Sequence, residues 1–132
     1  MIEKIDHIGI AVNSIEERLR FFKDMLSLEL AGTEEINDQK VKVAFVKVGD
    51  VNIELLEPTD PASPIAKFIA KKGEGIHHIA LKTNNISETL KHLNENNITL
   101  IDSAPRQGAH GKKIAFIHPK STGGVLIELC QE

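Results

Sequence analysis

Two histidines stand at the centre of short apolar stretches written for a strand: His7 in KIDHIGIAV and His78 in GIHHIALKT. Two glutamates are placed the same way, Glu54 in VNIELLEP and Glu128 in VLIELCQ. Side chains on a strand alternate between faces. With Ile8, Ile10 and Val12 set against a core, His7 shares the opposite face with Gly9 and Ala11. The same count groups His78 with Ala80 and sends Ile79 and Leu81 beneath. Val51, Ile53 and Leu55 leave Glu54 on the histidine face, and Val125, Ile127 and Leu129 leave Glu128 there. Small neighbours leave room above each imidazole. Two imidazoles and two carboxylates aimed into one cavity are a donor set for a borderline divalent ion, with coordination positions left open to a substrate. Singly, a strand histidine is more often a satisfied structural residue and a strand-face glutamate a solubilising one; the joint pattern points to ligands. His77 falls on the opposite parity, where the first stretch has Asp6, and is expected outside the set.

The elements that must carry these groups are written twice. An offset of 71 (78 − 7) sets Ile5, His7, Ile8, Asn13, Ile15, Glu17 and Leu19 on Ile76, His78, Ile79, Asn84, Ile86, Glu88 and Leu90, and KVAFV (42–46) on KIAFI (113–117). The offset then becomes 74 (128 − 54), which sets VNIELL on VLIELC and places the extra residues in the turn HPKSTGG. Similarity among aliphatic strands alone does not hold one register that also aligns both histidines and both glutamates.

Each copy reads as strand, helix and three strands. The first helix is NSIEERLRFFKDML, with Ser14 and Glu17 as a capping box and Ile15, Leu19, Phe22 and Leu26 on one face. The second is NNISETLKHL, capped by Asn85 with Glu88 at N3, and Ile86, Leu90 and Leu93 facing inward. The strands after each helix are LSLELAGTEEI, KVKVAFVKV and VNIELLEP in the first copy, ITLIDSAP, KKIAFIHP and GVLIELCQ in the second. The chain is therefore expected to be one domain, 1–132: module one at 1–57, a linker at 58–74 and module two at 75–132. A short linker helix is expected from the Ser63 cap to Gly73, with Pro64 at N1. A unit of this size leaves one sheet face bare and buries too little alone. The expected class is α+β: two tandem βαβββ modules forming a curved mixed sheet around a metal site, helices outside.

Composition narrows the rest. The chain has 132 residues, a net charge of −3 and 41% hydrophobic residues, an ordinary globular balance without the basic excess that nucleic acid or an anionic membrane demands. No apolar run is long enough for a bilayer, and MIEKID lacks a secretory h-region, so a cytoplasmic protein is expected. One cysteine, Cys130, precludes an intramolecular disulfide, and with neither Trp nor Tyr there is little for stacking platforms.

Beyond the derived ligand set, IDHIGIAV, VAFVKVGDVNIELLEP, SPIAKFI, GEGIHHIAL and above all PRQGAHGKKIAFIHPKSTGGVLIEL resemble the methylmalonyl-CoA epimerase family of the vicinal oxygen chelate superfamily. The resemblance spans essentially the whole chain, and its most specific stretch is Pro105 to Leu129. It implies His7, His78 and Glu128 as metal ligands with Glu54 in the fourth place, cobalt first among divalent ions, and zinc, manganese, nickel or magnesium as alternatives. It implies interconversion of (2R)- and (2S)-methylmalonyl-CoA through a metal-chelated enolate, an acyl-CoA partner and a homodimer. Glu128 matches one of the family's proton-transfer residues. The other is a third-strand glutamate in some members, where this chain has Val43, so Glu54, or a water held by it, is expected as the partner base. The loop PRQGAHGKK offers Arg106, His110 and Lys113 for an acyl-CoA anion. The competing readings are a glyoxalase I-like lactoylglutathione lyase, sharing a His, Glu, His, Glu set, and a small-molecule sequestration protein of the same superfamily.

Overall fold

The computed structural model describes all 132 residues, Met1–Glu132. The fold is α+β, with eight strands and three α-helices, and the chain divides into two compact units, His7–His77 and Met1–Asp6 with His78–Glu132. No helix is long and apolar enough to cross a membrane.

The first unit takes the end of β1 (Ile2–Ala11), then α1 (Ile15–Leu19), β2 (Glu29–Ile36), β3 (Val41–Val48), β4 (Val51–Pro58) and α2 (Pro64–Lys72). Its strand order is β2-β3-β4-β1, with antiparallel hairpins from β2 to β4 and a parallel pair between β4 and β1. Val12, Ile15, Ala44, Val46 and Leu55 form its core, joined by Ile10, Leu19, Phe22, Leu30 and Ile53. These are the residues whose parity opposes His7 and Glu54. The α1 cap is shared. Ser14 Oγ accepts from Glu17 N at 3.1 Å, and Glu57 Oε1, just beyond the core part of β4, accepts from Ile15 N at 2.8 Å.

The second unit repeats the plan with β5 (Gly75–Thr83), α3 (Ile86–Glu95), β6 (Arg106–Gln107), β7 (Lys113–Ile117) and β8 (Ile127–Gln131), in the order β5-β8-β7-β6 with β5 and β8 parallel. Ile86, Leu90, Ala115, Ile117 and Leu129 form its helix-side core, with Leu81, Leu93 and Ile127. The repeat extends to the caps. Asn85 Oδ1 accepts from Glu88 N at 3.1 Å, and Gln131 Oε1, equivalent to Glu57 under the same offset of 74 (131 − 57), accepts from Ile86 N at 2.8 Å. The linker helix α2 matches its expected bounds, with Ser63 Oγ accepting from Ile65 N at 3.1 Å, Pro64 first and Gly73 at the C-cap in a positive-φ conformation.

Three sequence expectations are corrected. The first helix is α-helical only to Leu19 and continues as a π-helix over Arg20–Met25, where Leu26 N donates to Phe21 O at 3.0 Å. One extra residue in the turn rotates the side chains downstream of it by about 100°. Leu26, expected inside, is therefore 49% exposed, and Leu28 packs on the core instead. ITLIDSAP does not form a strand: Leu100 makes one isolated bridge to Ile117, and regular pairing resumes only at Arg106. Here Ile101 N and Asp102 N both donate to Phe116 O while Asp102 Oδ2 accepts from Phe116 N at 2.9 Å, so a side chain takes the place of ladder carbonyls. Val125, expected in the core, is 42% exposed because β8 starts two residues later.

His77 is off the ligand face, as its parity required, and packs edge-on against Phe68 of α2, ring centroids 5.0 Å apart. Burial, with the nearby Lys72 charge, pushes its pKa down to about 4. Between about pH 6.5 and 4 the unfolded chain thus binds a proton that the native imidazole refuses, so stability is complete above about 6.5 and declines as pH falls toward 4. Between pH 7.5 and 5 the expected loss is about 2 kcal/mol. In urea melts at pH 7.5 and 5, His77→Phe should show a smaller acid-side decrease than the wild type; parallel decreases would show that this ring is not the sensor.

Candidate metal and active site

Each unit holds one buried imidazole beside one buried carboxylate. In the first, β1 and β4 run parallel with Gly9 opposite Glu54, so the glutamate stands over a residue without a side chain. Its Oε2 lies 3.1 Å from His7 Nδ1. Phe45 of β3 is the direct cross-strand neighbour of Glu54. In the second, Ala80 of β5 stands opposite Glu128 of β8, and Glu128 Oε1 lies 3.4 Å from His78 Nε2. Phe116 of β7 is the cross-strand neighbour of Glu128, and its ring meets the His78 ring edge-on at 5.6 Å. All four ionisable groups are buried. A carboxylate buried alone costs several kcal/mol, and the imidazole beside it offsets that cost. The same pairing is what an ion would displace: ligand nitrogen and carboxylate oxygen would both have to be deprotonated and turn their lone pairs to the metal. Imidazole nitrogen with carboxylate oxygen, fixed on strands and shielded from water, fits a divalent ion of intermediate softness.

Around the second pair the wall is apolar. Ala80, Ile114 and Cys130 pack together on the His78 face, with Phe116 against them. Cys130 is a small packing residue there, its thiol pushed up to about 12, chiefly by burial and then by the charges of Asp6 and Glu128. Arg106 of β6 lies with its guanidinium 5.4 Å from the centre of the Phe116 ring, and Asp102 Oδ1 receives its Nε at 3.3 Å. The side chains Asp102, Arg106, Phe116 and His78 thus form a continuous series of contacts leading from the loop to the Glu128 pair. Lys112 closes the same loop. Its ammonium is 3.3 Å from Asp6 Oδ1; burial alone would lower its pKa, but the Asp6 charge and hydrogen bond raise it.

A family model for the Glyoxalase/Bleomycin resistance protein/Dioxygenase superfamily matches residues 6–116. An uncharacterised Bacillus subtilis protein, YqjC, is 49% identical over 98% of this chain and 93% of its own length. The ethylmalonyl-CoA/methylmalonyl-CoA epimerase of Cereibacter sphaeroides is 36% identical over 99% of both chains. A solved methylmalonyl-CoA epimerase in complex with methylmalonyl-CoA and ammonium superposes with a TM-score of 0.95 at 34% identity, over 100% of this chain and 96% of that one. The chain belongs to the methylmalonyl-CoA epimerase family.

Within this epimerase-family chain, the expected site residues are distributed unevenly. His7 meets Glu54 and His78 meets Glu128, as parity implied. His110 sits in the turn Ala109–Gly111 with φ 58°, a left-handed conformation that an L-residue adopts only when the loop imposes it. Lys113 opens β7 on the parity of Ala115 and Ile117, which belong to the helix-side core, so it leaves the strand on the face opposite that of Phe116. Asp102 and Phe116, which hold Arg106, were not singled out from the sequence. The only hint was that Phe45 and Phe116 coincide under the offset of 71.

Proposed function

We propose that this protein interconverts (2R)- and (2S)-methylmalonyl-CoA by removing and returning the α-proton, with a divalent ion held jointly by His7, Glu54, His78 and Glu128. The doubled, buried His–Glu pair, equivalent in the two units, carries this reading; the family membership supplies the substrate class. When bound, the ion supplies Lewis-acid charge that polarises the thioester carbonyl and stabilises the enolate by several kcal/mol. Cobalt is the ion we favour, the homodimer the working form and the cytoplasm the compartment.

The chain's own residues do the rest. Glu128 accepts the α-proton on one face of the substrate or returns it. The apolar wall of Ala80, Ile114 and Phe116 beside it keeps water away from the carbanion and strengthens every charge interaction there. No electrons leave the substrate, so no redox cofactor is called for. Arg106, already aimed by Asp102 and Phe116, receives the free malonyl carboxylate or a CoA phosphate in a two-pronged hydrogen bond. Arg106→Lys keeps the charge but not the fork. Its expected effect is a KM raised about 10-fold with kcat within about threefold, read by steady-state kinetics; an unchanged KM would remove Arg106 from substrate binding.

The deciding experiment is deuterium uptake from D₂O at the α-carbon of methylmalonyl-CoA, with and without EDTA, run beside a hemithioacetal assay. Metal-dependent uptake supports the proposal. Formation of lactoylglutathione without uptake would replace it by the glyoxalase I-like reading, and a metal-free protein inert in both would point to sequestration.

A further inference from the structure

Inversion needs a proton donor or acceptor on each face of the enolate, and the third-strand position that carries a glutamate in some relatives is Val43 in this chain. We infer that Glu34, on the neighbouring strand β2, supplies the second proton-transfer carboxylate, in place of the Glu54 assignment suggested by the sequence. This rests on the epimerase reading of the same site.

The register places it. Glu34 pairs directly with Val43, and Val43 pairs with Leu56, two residues from Glu54 on β4. Opposed residues in an antiparallel pair share a face, and residues two apart on one strand do as well. Glu34, Val43, Phe45 and Glu54 are therefore on one face, the face opposite the core formed by Ala44, Val46 and Leu55. The bulge between Leu30 and Gly32 brings this about. Leu30 packs in the helix-side core beside Val46, and the extra residue flips the alternation so that the acidic side chain of Glu34 turns to the His7 face. Cβ atoms of an opposed pair lie about 4.5–5.5 Å apart. A glutamate has just the added reach to bring its carboxylate over the smaller valine opposite. Glu34 is half-buried, whereas its neighbours Thr33 and Glu35 are exposed.

The step balances without a co-reactant. The α C–H bond breaks and an O–H bond forms on one carboxylate, while the O–H of the other carboxylic acid breaks to form the new C–H on the opposite face. Running the reaction in reverse restores both groups.

The test measures deuterium uptake separately from the (2R)- and (2S)-thioesters in Glu34→Gln. Losing one of two bases silences the epimer whose proton that base removes, while the other epimer still exchanges through Glu128 without inverting. The expected result is uptake reduced about 100-fold or more for one epimer, retained within about threefold for the other, and net epimerisation lost. A double variant, Glu34→Gln with Val43→Glu, which moves the carboxylate across the strand pair, should restore inversion. Equal uptake from both epimers, whether at wild-type rate or reduced alike, overturns the assignment, as does a double variant that fails to invert. Were Glu34→Gln to unfold, Glu34→Asp, which shortens the same acid, should give the same one-sided decrease. A wild-type protein that exchanges neither epimer would reject the epimerase reading itself, a result distinct from all of these.

Discussion

Glu128→Gln should lower net epimerisation of methylmalonyl-CoA by about a thousandfold or more and silence α-carbon exchange from the epimer whose proton Glu128 removes. The substitution is nearly isosteric. Glutamine can still contact His78, fill the same buried site and sit across from Phe116, so the unit should fold with a loss of only about 1–2 kcal/mol. What it removes is the carboxylate proposed both to exchange a proton and to contribute charge toward an ion. The two roles separate by measurement. Metal content after purification reports the ligand role, and turnover at saturating metal reports proton transfer. A variant that regains activity when metal is added is missing a ligand only; unchanged turnover removes Glu128 from the mechanism altogether.

Metal removal is the second large effect. Dialysis against a strong chelator should lower epimerisation by about a thousandfold or more, and adding back a divalent ion should restore it. The purified holoprotein should contain one ion per chain. This number is decisive, since each unit has its own His–Glu pair: two ions per chain would mean that the pairs act separately, and full activity with none would mean that they serve only structure. His78→Ala should lower metal retention and leave Glu128 buried without its partner, so its melting temperature should decrease and should no longer respond to added metal. In the wild type, metal at about a thousand times its Kd should stabilise the fold by about 4 kcal/mol.

The candidate ligands were legible because they follow from strand parity alone. Ile53 and Leu55, or Ile127 and Leu129, can face a core in only one way, and the glutamate between them must then face the other. The duplication was legible for the same reason, since one register aligned functional residues and caps together. Helix α2 was written in local chemistry, Ser63, Pro64 and Gly73, and matched to the residue. The features that were not legible depended on backbone choices without a local signature. The π-turn at Arg20–Met25 contains no proline or glycine to announce it, and ITLIDSAP alternates well enough for a strand until Asp102 takes the Phe116 amide. The contacts that aim Arg106 are likewise tertiary: Asp102 lies four residues away, but Phe116 arrives from another strand. Glu34 was hidden behind the bulge at Leu30 and Gly32, since uninterrupted alternation from Leu30 would put it on the helix side.

In each unit the His–Glu pair joins the strand that the chain writes first to the one that it writes last, β1 to β4 and β5 to β8. These parallel pairings are less local than the hairpins between them, and such contacts close late, after the hairpins are made. An ion seated on them would clasp a structure already assembled. Its grip would then be absent from the folding transition state, so that occupancy should prolong the native lifetime while the speed of folding stays with the hairpins.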